Sequence, residues 1–343
     1  MKEKQTKVAV NLVTYNAEKY LPFCLKSVFD QTFADFSLLV IDNGSNDQTL
    51  PYLKENWPQL KVVANGKNVG FAKAHNQGIA WTRSDYVLLL NQDVILEKDY
   101  LAKAVEYLEE HPGAGCLGGR MLSWDFQNNV KTNIIDSAGL RIFKNHRVLE
   151  RGQGEINKNQ YGEIQEVFGV SGALPLYRRL VLEKIKVCLN PGLAHAEYFD
   201  EDFFSYKEDV DIAYRLRLAG FTAVYFPEAT AYHDRSVKAG ADLSDRAVKA
   251  SRKHKDKMVK VYSYKNHLLA LFKNEFRSNL IRFFWPIFWY EFKKLVFILF
   301  FEQSTLRGVK MFLAQRKNNR QKRKYIFKQI CKIQPKDLAK WYE

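Results

Sequence analysis

The chain has 343 residues, 46% of them apolar and 27% charged, a composition that buries a large core and excludes a disordered polymer or a small disulfide scaffold. Its formal net charge is +15, but Met1–Asp234 sums to about −4 and Arg235–Glu343 to about +19, so one catalytic-size domain and a basic appendage with different partners are expected. Cys24, Cys116, Cys188 and Cys331 show neither CxxC nor CxxH spacing, which argues against a zinc knuckle and fits a reducing compartment.

The N-terminus passes from a short charged lead into Lys7–Thr14, a strand, with no apolar segment of signal-peptide length. Glu18–Asp30 reads as a helix, with Leu21, Leu25, Val28 and Phe29 at helical spacing. Phe36–Ile41 is a second strand and ends in Asp42-Asn43-Gly44-Ser45-Asn46-Asp47, whose last three residues offer N-caps for a helix towards Trp57. Leu60–Ala64 is a third strand, followed by a Gly-containing loop, Asn65–Phe71, and a helix to about Trp81. Ser84–Ile95 comes fourth: Val87–Leu90 is unbroken aliphatic sequence, suited to a strand buried on both faces, and Asn91-Gln92-Asp93 stands where it emerges, before a helix through Leu96–Glu110. This alternation predicts a doubly wound, mostly parallel α/β sheet.

In such a sheet the loops after the strands share one edge, and ligands bind there. Thr14-Tyr15-Asn16, Asp42-Asn43 and Asn68-Gly70 are therefore candidates to hold a nucleotide, with Asp42 accepting from a base or ribose. The loops match neither GxxxxGK[ST] nor GxGxxG, which argues against an NTPase and a dinucleotide dehydrogenase.

From about Gly115 to Tyr177 the alternation dissolves into short β-like pieces, such as Ile134–Phe143 and Glu166–Val170. Val170-Ser171-Gly172-Ala173 is a turn before Leu174–Tyr177 and a helix from about Arg178. Glu208 and Asp209 open a helix that Gly220 closes at its C′ position. Phe221–Phe226 and Ala229–Tyr232 read as two further strands, the second ending at His233.

Asp93 and His233 each follow an apolar strand, and a carboxylate with an imidazole is a partial shell for Mn²⁺ or Mg²⁺ whose other ligands are diphosphate oxygens. Glu208-Asp209 supplies carboxylates that can take a proton from an acceptor hydroxyl. Leaving-group and nucleophile assistance from separate residues is the logic of inverting glycosyl transfer. Each feature also has a structural reading: a polar turn at Asp93, a tight bend at Gly172, a helix dipole behind Glu208-Asp209, a core histidine at 233.

Residues about 7–234 resemble the inverting family 2 glycosyltransferases of GT-A fold, above all their bacterial rhamnosyltransferase branch. The resemblance rests on VTYN (Val13–Asn16), VIDNGSNDQT (Val40–Thr49), NVGFAKAHNQGI (Asn68–Ile79), LLLNQDV (Leu88–Val94), VSGA (Val170–Ala173), FFSYKEDVDIAYRLRLAG (Phe203–Gly220) and Ala231-Tyr232-His233, in the family's order. It implies a nucleotide-sugar donor held by Thr14, Tyr15, Asn16, Asp42, Asn43, Asn68, Gly70, Phe71, Asn76, Asn91, Gln92 and Asp93. It further implies metal ligation by Asp93 and His233, catalysis by Asp209 as base, and an acceptor beside Gly172 and Glu208. Two departures stand out: Asn91-Gln92-Asp93 replaces Asp-x-Asp, leaving one carboxylate, and His75-Asn76 replaces Arg-Asn. The Asn-x-Asp form tilts the donor towards dTDP-rhamnose over a UDP-hexose.

The tail, helix-compatible from about Asp242 to Phe327, is rich in Lys and Arg, and its densest apolar part is Phe283–Phe301. Glu291, Lys293 and Lys294 interrupt that stretch, so it reads as an interfacial helix on an anionic membrane and not as a spanning one. Packing on the catalytic domain or on a second subunit is the alternative. The basic run Arg316–Lys328 also suits nucleic acid, but no nucleic-acid module surrounds it. The sequence thus points to a peripheral enzyme on the cytoplasmic face of the membrane, acting on a saccharide acceptor that a lipid carries. A nucleotidyltransferase lacks its phosphate loop here, and a membrane adaptor without turnover is the non-enzyme rival.

Overall fold

The computed structural model describes residues 5–189, 196–235, 252 and 255–343. Strands β1 (Thr6–Thr14), β2 (Phe36–Asp42), β3 (Lys61–Ala64) and β4 (Ser84–Asn91) pair in parallel in the order β3-β2-β1-β4. Helices α1 (Leu21–Phe29), α2 (Thr49–Asn56) and α3 (Phe71–Trp81) connect them. In this register Leu12 lies between Val40 and Leu90. Leu88 and Leu90 enter one core with α1 and α4 (Tyr100–Glu110), while Val87 and Leu89 enter a second on the opposite face. That two-sided burial is why the β4 sequence is aliphatic without alternation.

Beyond β4 the sheet is mixed. The short β5 (Val94–Leu96) comes next in the chain, and β6 (Ala114–Asp125) follows α4, with β7 (Val130–Ser137) antiparallel to it. Strands β8 (Leu140–Ile142) and β9 (Val148–Glu150) form a separate pair, and β10 (Gln165–Val167) and β11 (Pro175–Arg178) rejoin the main sheet. Helices α5 (Arg179–Ile185) and α6 (Glu208–Leu218) precede β12 (Thr222–His233). Among the described residues the sheet order is β10-β12-β6-β11-β4-β1-β2-β3, with β11 antiparallel to both neighbours and β5 antiparallel to β12.

Two sequence expectations change here. The region expected as short pieces contains the twelve-residue strand β6, hidden because Gly115, Gly118 and Gly119 interrupt its apolar pattern. Those glycines are packing devices: a Cβ on Gly118 would come within 2.8 Å of Val170, and one on Gly119 within 2.6 Å of the Tyr100 ring. The two strands expected over 221–232 are one strand whose register against β6 shifts between Phe226 and Thr230, with Pro227 in the irregular stretch.

The tail is a helical region that packs on the sheet domain. Its first part, 236–251, lies outside the described residues. Helix α7 (Lys257–Asn274), the short α8 (Arg277–Arg282), α9 (Phe284–Phe301), α10 (Leu306–Tyr325) and α11 (Pro335–Ala339) follow. Leu269, Ala270, Ile326, Ile330, Leu338 and Tyr342 join the same core as Val87 and Leu89. Part of the basic charge is consumed internally. Lys273, fully buried, pairs with Asp200 and, at 2.7 Å, with Asp211; Lys322 reaches Asp200 at 2.5 Å, Glu197 at 2.7 Å and Asp202 at 3.1 Å. Burial opposes ionisation of Asp200, but Lys273 and Lys322 outweigh it and hold the carboxyl well below its ordinary range.

A buried charge left without its partner is expensive, so Lys273→Ala, which leaves Asp200 and Asp211 short of a counter-charge, is expected to cost about 3–5 kcal/mol of unfolding free energy in urea titrations. Because the Asp200 value is lowered by folding, its stabilisation is present above the unfolded carboxyl range and disappears as pH falls through the folded value. Wild-type stability is expected to drop on acidification more steeply than that of the variant.

Candidate active site

The carboxyl edge of the parallel strands carries the candidate donor cleft, and much of its polar chemistry is spent on shaping the loops. The Asp42 carboxylate accepts from Thr14 Oγ1 at 3.1 Å, Ser45 Oγ at 2.5 Å, Gly44 N at 3.2 Å and Ser45 N at 3.0 Å, and the residue is fully buried. Its lone pairs are thereby engaged inside the loop. Asn43 accepts from Val69 N at 3.0 Å and donates to Asn68 Oδ1 at 3.1 Å, fastening the β3–α3 loop to the β2 end. Gln92 spans the β1 and β4 ends: it accepts from Tyr15 N at 2.7 Å and donates to Tyr15 O at 3.1 Å. The Tyr15 side chain stays exposed, and Asn16, at φ +50°, accepts from Asn46 N at 2.9 Å. Asn91 donates its backbone N–H to Ala173 O at 3.0 Å.

Gly70 sits at φ +89°, and a Cβ there would meet the Phe204 ring and carbonyl at 2.6 Å. Glycine is therefore required where the donor loop touches the loop before α6. Phe71 packs on His75 at 4.3 Å between ring centroids. His75 is fully buried, and burial holds its imidazole down to about 3, so it is a neutral core residue. Asn76, expected at the donor, is buried, donates to Phe199 O at 2.8 Å and accepts from Phe199 N at 2.8 Å. Its amide is spent on tying α3 to the acidic stretch after 196.

Pairing of β5 with β12 places Val94 opposite His233 and so brings Asp93 beside the imidazole, with Asp93 Oδ1 3.4 Å from His233 Nε2. A backbone bond from Asp234 N to Asp93 O at 3.0 Å closes the pair. On its other side the His233 Nδ1 contacts Asp136 Oδ2 at 2.9 Å. A carboxylate behind a histidine fixes the ring and leaves Nε2 for a cation. Burial lowers the His233 value, but the Asp93 and Asp136 charges prevail and raise it to about 9, so the ring itself carries positive charge and a cation at Nε2 would take the place of that proton. Among the described residues no cluster of three or more His, Cys, Asp or Glu side chains is arranged to hold a metal. Two protein ligands fit a cation that completes its shell on ligand oxygens and water.

Sequence reasoning missed the supports of this pair. Arg235 donates to Asp136 Oδ1 at 2.7 Å and to Glu150 Oε1 at 2.9 Å, and Glu150 also accepts from Ser137 Oγ at 2.6 Å and Ser171 Oγ at 2.8 Å. The network runs from His233 to the VSGA turn. A signal existed for Arg235 alone, two residues after His233; Asp136 and Glu150 lie in stretches without periodicity.

Gly172 N donates to Asp209 Oδ2 at 3.2 Å, and a Cβ on Gly172 would stand 3.3 Å from the Asp209 Cβ. Gly172 therefore lies against the carboxylate expected to be the base. Glu208 is buried, its Oε2 has no hydrogen-bond partner, and burial together with the Asp209 charge pushes it up to about 8. Adjacent carboxyls thus have divided environments: a buried, protonated Glu208 and a half-exposed Asp209 that accepts from two backbone N–H groups, Gly172 and Val210.

The family model described as "Glycosyl transferase family 2" matches residues 10–185, more than half of the chain. An uncharacterized glycosyltransferase of Haemophilus influenzae is 31% identical over 114 residues, 32% of this chain and 35% of that protein, so the match spans about a third of that relative. The N-acetylglucosaminyl-diphospho-decaprenol L-rhamnosyltransferase of Mycobacterium tuberculosis is 28% identical over 249 residues, 67% of this chain and 76% of that one. The crystal structure of GalNAc-T7 with UDP, GalNAc and Mn²⁺ superposes with a TM-score of 0.58 at 15% identity, covering 81% of this chain and 49% of the other, a likeness of fold. With its strand order, its loops gathered at one sheet edge and this match, the chain belongs to glycosyl transferase family 2 and has the GT-A fold.

Proposed function

We propose that the protein is an inverting glycosyltransferase that moves L-rhamnose from dTDP-rhamnose to a hydroxyl of a lipid-linked saccharide, in the building of a bacterial surface polysaccharide. The observation that carries the reading is the division of labour across the cleft: Asp93 meets His233 on one side, and Asp209 faces Gly172 N–H on the other. Asp209 accepts the acceptor hydroxyl proton as that oxygen bonds to the anomeric carbon and the bond from that carbon to the nucleoside diphosphate breaks, with inversion. Glu208, protonated, keeps a second negative charge away from the attacking oxygen. Asp93 and His233 would hold Mn²⁺ or Mg²⁺, which when bound neutralises charge on the departing diphosphate. The rhamnose assignment draws on the mycobacterial relative and on the Asn-x-Asp tripeptide; a UDP-hexose donor keeps the same roles.

The cytoplasmic membrane face is proposed from α9. Phe284, Trp285, Phe288, Trp289, Phe292, Leu295, Val296, Leu299 and Phe300 are all exposed and fall on one helical stripe, while within this helix Ile298 alone is fully buried. Among the described residues no helix is long and apolar enough to cross a membrane. Pro286 lies in the first turn, where no backbone donor is needed, so the helix runs straight through it. An outward aromatic stripe flanked by exposed Arg277, Arg282, Lys293, Arg307 and Lys310 matches an anionic bilayer surface.

Calorimetry with dTDP-rhamnose, UDP-glucose, UDP-galactose and GDP-mannose, each with and without Mn²⁺ or Mg²⁺, tests the donor. Tight binding of dTDP-rhamnose that needs the metal is expected, and preference for another nucleotide-sugar overturns the donor assignment. Asp209→Asn is expected to lower turnover at least about 10²-fold with donor affinity unchanged. Glu208→Gln mimics the protonated side chain and is expected to keep turnover near pH 7 within about tenfold. Since folding raises the Glu208 value to about 8, wild-type stability falls as pH rises from the unfolded glutamate range to about 8, and Glu208→Gln is expected to flatten that slope in urea titrations.

Flotation with phosphatidylglycerol and phosphatidylcholine vesicles tests the surface. Binding to the anionic vesicles alone, weakened by salt and by Trp285→Ala with Trp289→Ala, is the expected result. A dimer that the same substitutions dissociate would instead assign the stripe to a second copy.

A further inference from the structure

Five cations gather between the catalytic loop and the inner side of α9. Lys207 immediately precedes Glu208 and is held at φ +66°. It lies within electrostatic range of Lys294 and Arg147, which repel it, and of Asp209 and the Tyr290 hydroxyl, which favour its charge. Lys255 faces Arg252, Lys207, Arg147 and Arg235. Lys294 sits over the Tyr290 ring at 5.0 Å and the Tyr264 ring at 4.5 Å, facing Arg252 and Arg147.

The acids nearby offset only part of this charge. Glu291 contacts His267 Nε2 at 2.6 Å and stands 4.0 Å from Lys294, and Glu302 serves Arg252 and, at 3.7 Å, Lys260. Arg235 is spent on Asp136 and Glu150. Among the described residues Lys207, Arg147 and Lys255 form no ion pair. Burial and mutual repulsion act together here: the Lys294 ammonium is lowered to about 8, and Lys207 and Lys255 are lowered as well. Arg252 keeps Glu302, Lys294 keeps Glu291 at 4.0 Å and Lys207 feels Asp209, so the five cations are only partly neutralised and an added anion relieves the repulsion that remains.

We propose that Arg147, Lys207, Arg252, Lys255 and Lys294, with the Tyr290 hydroxyl, form a binding site for the diphosphate of a polyprenyl-diphosphate-linked acceptor, whose chain enters the bilayer beside the aromatic stripe of α9. Position selects this ligand. The cluster adjoins Glu208-Asp209 through Lys207, where an acceptor sugar must arrive. Lys294 and Tyr290 belong to the helix whose opposite face carries Trp285, Trp289 and Phe292. The donor's diphosphate has its own place at the Asp93–His233 pair, so two diphosphates have two sites. Multiple charge-assisted bonds from Arg and Lys are the usual way to hold such a group. The proposal rests on the glycosyl-transfer reading, since it supplies that reaction's acceptor.

Calorimetry on the full chain, saturated with UDP and Mn²⁺, tests it with farnesyl diphosphate as the probe and pyrophosphate and farnesol as comparisons. Farnesyl diphosphate is expected to bind without displacing UDP and more tightly than either comparison. Lys294→Gln and Arg147→Gln are each expected to weaken it about tenfold or more, while Lys54→Gln, on the exposed face of α2, changes it less than about twofold. Retained UDP affinity in each variant reports an intact fold.

Displacement of UDP by the probe would make the cluster part of the donor site and overturn the proposal. So would equal binding in all three variants, or pyrophosphate binding as tightly as the lipid. UDP binding without farnesyl diphosphate binding would defeat this inference alone, whereas absence of nucleotide binding would defeat the glycosyl-transfer reading with it.

Discussion

The structure depends on one buried arrangement: Asp200, almost inaccessible to water, between the ammonium groups of Lys273 and Lys322. Two cations from α7 and α10 converge on an acid in the short stretch between α5 and α6. Taking these charges out of water costs several kcal/mol each, and their attraction offsets that only with good geometry and further hydrogen bonds. Both are present: Asp200 also accepts from Asp202 N at 3.0 Å, and Lys273 also meets Asp211 inside α6. A hydrophobic contact of the same area could slide. A fully paired buried charge cannot shift without stranding a partner, so it fixes the tail helices at one position on the sheet.

That position bears on the chemistry through the backbone before Asp209. Phe204, Tyr206 and Lys207 have φ values of +65°, +72° and +66°, a region that costs a non-glycine residue of order 1–3 kcal/mol. The side-chain amide of Asn266, on α7, lies within 2.6–2.9 Å of the carbonyls of Phe203, Ser205 and Tyr206. Asn274 donates to Asp211 at 2.7 Å, and Gly70 closes from the donor side against Phe204. The strained loop is over-determined from two directions, and its conformation sets where Glu208 and Asp209 begin. The tail and the Glu208-Asp209 motif form one mechanical unit, although the contacting residues lie about 60 positions apart across a reversal of net charge.

The sequence showed the sheet edge clearly where the physics is local. Val87–Leu90 announces a strand buried on both faces, and the polar residues after it mark the edge. Gly220 announces the end of α6, where it takes φ +83° and Phe221 N reaches back to Leu216 O at 3.1 Å. What stayed hidden is non-local. Asp42 is conspicuous as an acid after a strand, but its bond from Thr14, at the end of β1, is not readable from its neighbours. Asn76 belongs to a helix, but the backbone it serves is more than 120 residues on. Net charge counted the Lys residues of the tail without saying which were buried. One local hint existed: Lys265, Asn266, Leu269, Ala270, Lys273 and Asn274 share a face of α7, and a polar group within an apolar stripe indicates buried partners.

Helix α9 reverses the usual arrangement, with aromatic side chains towards solvent and Tyr290, Lys294 and Ile298 towards the protein. An exposed aromatic stripe of this extent is costly in a monomer in water and explicable only by a partner. On the proposed reading that partner also simplifies the reaction. An acceptor anchored by its lipid is confined to a layer at the bilayer surface, and an enzyme confined to the same layer meets it at a far higher effective concentration than in bulk. An 18-residue helix is about 27 Å long, and laid flat it orients the catalytic loop towards the surface as well as holding it there. Binding through α9 alone would leave rotation about the helix axis free. The clamp between the tail and the Asp200 stretch removes that freedom, so on the proposed reading the buried charges and the exposed aromatic residues act together to present Asp209 to a membrane-bound hydroxyl.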